Sequence, residues 1–115
     1  MDITTTDRRR NRRYELRLPL HYQVAEKGTM PRTGTGNTCD LSSTGLSFRC
    51  RRPLPVGAHI EMTIDWPSKY GDLYPIELLV TGFIVRSLSG KIGVRVTSRK
   101  FHVESVLEQP YRATA

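Results

Sequence analysis

The fold turns on Asp40-Leu41-Ser42-Ser43-Thr44-Gly45-Leu46-Ser47-Phe48-Arg49-Cys50-Arg51. Its first half is turn chemistry. Asp and Ser side chains bond to nearby backbone, and Gly, which tolerates positive φ, closes the bend. Its second half alternates, with Leu46, Phe48 and Cys50 on one side and Ser47, Arg49 and Arg51 facing outward. Period two is the mark of a strand with one buried face.

The same pattern recurs on either side. Upstream, Asn37 to Leu41 reads as a strand leading into the turn. Lys27 to Gly36, rich in Gly, Pro and Thr, reads as a loop. Leu18 to Val24 alternates again, and Pro19 puts its start near a sheet edge. Downstream, Pro53 to Gly57 breaks the chain and Ile60 to Asp65 alternates. Pro67 to Asp72 is a turn region, and Ile76 to Arg86 is the most apolar stretch, with Gly82 marking a bulge. A tight turn around Ser89-Gly90 precedes a last alternating run, Ile92 to Thr97. Some six short strands separated by turns predict an all-β sandwich or barrel. Arg99 to Leu107 has room for one short C-terminal helix, which Pro110 would stop.

The chain has 115 residues, the size of one domain, and carries a formal charge of +7. Fourteen of its eighteen basic residues are Arg, six of them within residues 1–17. Guanidinium offers a planar fork of donors and a stackable face, so the partner is expected to be anionic. Residues 1–17 lack apolar periodicity before Leu16 and read as a flexible arm. The domain bounds expected are an arm over 1–11, a barrel over 12–108 and a frayed tail over 109–115. Cys39 and Cys50 form no CxxC pair, and His21, His59 and His102 are scattered. No metal site, activated nucleophile or carboxylate pair stands out, so a binding module is expected, not an enzyme, and no cofactor. With no apolar leader and no run long enough to span a bilayer, the expected location is the cytoplasm.

Two local patterns carry binding chemistry. Arg12-Arg13-Tyr14-Glu15-Leu16-Arg17 directly precedes the first strand. Asp40-x-Ser42-x-x-Gly45 lies at a strand-to-strand turn. In an extended segment Arg13 and Arg17 point to one side, about 13 Å apart, and a curled arm brings them onto one ligand. Guanine suits such a set. Its N7 and O6 accept two parallel bonds from a guanidinium, and its face stacks on another. Its Watson–Crick edge donates to a carboxylate such as Asp40, and Ser42 offers a hydroxyl to a phosphate or base edge. Each pattern alone is ordinary: a cluster of Arg is more often a solvated arm, and Asp-x-Ser-x-x-Gly is common turn chemistry.

Together and in this order, the patterns resemble the PilZ family, which is marked by RxxxR before the first strand and [D/N]xSxxG between later ones. The matching residues are Arg13 and Arg17, then Asp40, Ser42 and Gly45. Further likeness lies in Arg17-Leu-Pro-Leu20, Gly82-Phe-Ile-Val-Arg86 and Gly93-Val-Arg-Val96. The resemblance implies a six-stranded antiparallel β-barrel that binds cyclic di-GMP and signals to a separate protein. It implies that Arg13 and Arg17 grip guanine and phosphate while the Asp40–Gly45 loop cradles the other side of the base. It also implies a phosphate contact from Arg12, with room for a stacked pair of ligands. Registers pairing Arg9 with Arg13, or Arg8 with Arg12, remain open. Ligand binding would order the arm. The rival readings are a nucleic-acid-binding β-barrel, with Tyr14 and Tyr22 as stacking platforms, and a PilZ-shaped protein-interaction domain without ligand. The lack of an aromatic array along one strand face argues against nucleic acid.

Overall fold

The computed structural model describes residues 14–26, 28, 30–70 and 74–103. Arg8, Arg9, Arg12, Arg13 and the tail from 104 lie outside the described residues. Seven strands form one antiparallel sheet: β1 (Tyr14–Glu15), β2 (Pro19–Ala25), β3 (Arg32–Leu41), β4 (Gly45–Arg49), β5 (His59–Tyr70), β6 (Tyr74–Leu88) and β7 (Lys91–Val103). The order is β1-β3-β2-β5-β6-β7-β4, and β4 pairs back onto β3. Six strands therefore close a ring, and β1 continues the line of β2 along the same edge of β3.

Alternation builds the core as the sequence predicts. Leu20, Tyr22 and Val24 of β2, Leu46 and Phe48 of β4 and Ile60, Met62 and Ile64 of β5 are buried. They meet Leu78, Val80 and Ile84 of β6 and Ile92 and Val94 of β7. Closure matters because it leaves few unpaired edges. The connection between β4 and β5 folds over one end of the ring and buries Leu54, whose N–H donates to Ser87 Oγ at 3.2 Å. Ser89-Gly90 is a two-residue hairpin with φ of 53° and 81°. Positive φ at both positions is what a type I′ turn needs, and it suits Gly at the second. The ladder shifts at Gly82 as expected, with the extra residue on β7: Thr81 faces Ser98, but Gly82 faces Val96.

Four expectations about element bounds need correction. Residues 67–70 are not turn; they continue β5 to Tyr70, paired with the start of β6. Residues 99–103 are not helical; they continue β7 alongside Ile76 to Val80. Residues 32–36 are not loop but the first half of β3. They were illegible because period two is written there in Thr and Gly. At the inward positions a Cβ would collide with the Tyr22 ring and hydroxyl at Gly34 and with the Arg49 carbonyl oxygen at Gly36, where Phe48 also lies close. Residues 14 and 15 belong to a strand rather than to a free arm.

Candidate functional site

Asp40 faces the outside of the barrel because of one irregularity. Gly34 and Gly36 face inward, and Thr38 is buried at 3% exposure. Strict alternation would aim Asp40 inward as well. Instead the pairing jumps from Thr38↔Phe48 to Asp40↔Ser47, so Cys39 has no partner on β4. A bulge of this kind re-aims the next side chain. Leu41 then packs against the core, and Asp40 accepts a bond from Ser47 Oγ at 3.0 Å.

On the other edge of β3 a second irregularity answers the first. The chain between β1 and β2 detours at Leu16-Arg17-Leu18. Leu16 N–H donates to Cys39 O at 3.2 Å, and Thr38 N–H donates to Leu18 O at 2.9 Å. The Thr38 hydroxyl accepts from Leu18 N–H at 2.8 Å and donates to Leu16 O. One buried hydroxyl thus satisfies both backbone groups flanking Arg17, which is itself exposed. Glu15 then pairs with Asp40 in register. The segment carrying Arg17 is therefore fixed beside the strand carrying Asp40.

The turn after Asp40 closes on itself. Ser42 N–H donates to Gly45 O at 2.9 Å, and Gly45 N–H donates to Ser42 Oγ at 3.1 Å. The Ser42 hydroxyl also reaches Gly45 O at 3.3 Å. Gly45 does not use positive φ, which corrects the expectation for that residue. A Cβ there would sit 3.4 Å from Val94 O, an ordinary contact. The fold itself therefore makes no demand for glycine at position 45, where a Cβ would pack beside Val94 O and the Ser42 hydroxyl.

Several residues of this region carried no motif in the sequence. Arg99 of β7 spans the turn from outside, with Nη1 donating to Ser42 O at 3.2 Å and Nη2 to Ser43 O. Val96 N–H donates to Thr44 O at 2.9 Å. Ser47 points outward as predicted but is only 6% exposed. Cross-strand pairing aligns Glu15, Asp40, Ser47, Gly93 and Arg86 in one row over the outer surface. Gly93 leaves room for Arg86, whose Nε lies 3.5 Å from where a Cβ would be. Carboxylates, a hydroxyl and a guanidinium thus share one band. Its chemistry is recognition of polar edges and charge. Among the described residues no cluster of His, Cys, Asp and Glu suits a metal ion, and no helix is long and apolar enough to cross a membrane.

Comparison with known proteins agrees with this geometry. The PilZ domain model matches residues 7–109. No curated protein matches the chain. Among matching solved structures is the Bacillus subtilis inhibitor of motility MotI/DgrA, with a TM-score of 0.59 and 12% sequence identity. The match covers 91% of this chain and 47% of that one, so the chain spans about half the length of that protein. At this identity the likeness concerns the fold. A closed β-ring, a bulged strand presenting Asp-x-Ser-x-x-Gly and a family match over nearly the whole length lead to one conclusion: the chain belongs to the PilZ domain family, a family of binding modules rather than enzymes.

Proposed function

We propose that the chain is a cytoplasmic cyclic di-GMP receptor that passes its signal to a separate protein. The observation carrying this reading is the pair of facing irregularities at Arg17 and Cys39. They hold an arginine and an outward carboxylate on adjacent segments, fixed to each other through Thr38. In this reading Arg13 and Arg17 donate to guanine N7 and O6 and to phosphate, while Asp40 accepts from the Watson–Crick edge. Ser42 and Gly45 form the bend against which the base rests, and the side-chain-free surface at Gly45 gives the purine its approach. Arg12 meets a phosphate and admits a second, stacked ligand. Closing the arm over the nucleotide changes the surface offered to a partner.

Titration calorimetry with cyclic di-GMP tests this on the wild type, Arg17→Ala and Asp40→Ala. The wild type binds, and each variant loses about 2–5 kcal/mol of binding free energy, because a desolvated charged partner is left unpaired. RNA affinity that falls steeply with salt, with no heat from cyclic di-GMP, would instead select a nucleic-acid-binding barrel.

A further inference from the structure

At the end of β3 and β4 remote from Asp40, the ring is not sealed. β3 pairs with β2 through Arg32 to Asn37. β4 joins β3 only from Asn37, opposite Arg49. Beyond Arg49 the chain turns away, and Cys50 N–H donates to Gly90 O at 3.1 Å. Arg32 to Gly36 therefore present a strand edge that no described strand covers.

The backbone on that edge is directed outward. Thr38 sends its N–H toward the β2 side, to Leu18 O. Successive residues of an antiparallel strand alternate between edges. Pro19, which has no N–H, faces Asn37 and agrees with this parity. Thr33 and Thr35 thus turn their N–H and C=O groups to the open side. A cleft of about 840 Å³ runs along it. Arg49, Arg51 and Arg52 line the cleft, and no carboxylate does.

We infer that this edge is a docking site for an acidic, extended segment of a partner protein, which adds to β3 as a further strand. Main-chain bonds to Thr33 and Thr35 give such a strand its affinity. The arginines at the rim select for negative charge. A compact anion satisfies the guanidiniums but leaves the strand edge unpaired. A second copy of this chain would bring its own arginines against these, so like charge disfavours edge-to-edge pairing between copies. The site is separate from the proposed nucleotide site and does not depend on it.

The test uses the full ¹⁵N-labelled chain without nucleotide. Three probes are titrated: a short synthetic peptide alternating Glu with Val and Thr, the same peptide N-methylated on alternate residues, and inorganic triphosphate. The parent peptide slows amide exchange at Thr33 and Thr35 by at least about tenfold. An Arg51→Glu, Arg52→Glu double variant weakens its binding by about tenfold or more. The N-methylated peptide, which keeps the charge but cannot pair, does not protect these amides. Equal binding of parent and N-methylated peptides, displacement of the parent by equimolar triphosphate, or no binding of the parent overturns the inference. So does protection of Thr33 and Thr35 that rises with protein concentration alone, which would make the occupant a second copy.

Discussion

Thr38 shows how one hydroxyl positions a site. It is buried, and its oxygen serves both Leu16 O and Leu18 N–H. Thr38→Val keeps the shape and removes both bonds. The expected cost is about 1–3 kcal/mol of stability, since buried backbone groups are left unsatisfied. Thr38→Ser restores most of it, as urea denaturation of the three proteins would show. Cyclic di-GMP affinity follows the same order, because Arg17 is held only as firmly as its flanking backbone. Tyr22 yields a second prediction at this scale. Burial, with Cys50 beside it, raises its phenol above the ordinary 10.0. The folded chain therefore holds this proton more tightly than the unfolded one. The associated stability is intact below about pH 10 and falls as pH rises toward the folded value. Denaturation midpoints measured on both sides of pH 10 should fall in the wild type and fall less in Tyr22→Phe.

Among the elements, the bulge at Cys39 and the turn at Ser42–Gly45 depend on their neighbours. Arg99 comes from β7, yet it holds two carbonyls of that turn. Arg99→Ala should speed amide exchange in residues 42–45. As the side chain is exposed, global stability should change by no more than about 1 kcal/mol. Weaker nucleotide binding with a melting temperature lowered by no more than about 5 °C is the expected pattern. Strands whose inward residues are Leu, Ile, Val or Phe were legible from alternation alone, as with Leu46 and Phe48. The first half of β3 was not, because its inward positions are glycines, where Tyr22 of the neighbouring strand and the Arg49 carbonyl leave no room for a side chain. The stretch Arg99 to Val103 misled for a different reason. Its strand character comes from pairing with Ile76 to Val80, and such pairing decides strand formation more than local propensity does.

For the molecule as a whole, six strands share one core, so its stability is expected to be cooperative. Ile60 is fully buried on β5. Ile60→Ala should cost about 2–5 kcal/mol, through lost burial and the cavity left behind. Asp40, Ser42 and Gly45 were readable in the sequence because their spacing is local. Arg86 and Arg99 were not, since only the pairing of β4, β6 and β7 carries them to the same outer region; nor was Thr38, whose role lies in buried bonds to the Leu16–Leu18 detour. In the proposed function a guanine nucleotide docks on the outer band beside the Arg17 detour. Amide chemical shifts of the ¹⁵N-labelled chain during titration with cyclic di-GMP report where it binds. The predicted result is perturbation concentrated at Glu15 to Leu18 and Asp40 to Gly45. Shifts confined to Arg49 to Arg52 at the far end, or no shifts at all, would contradict it.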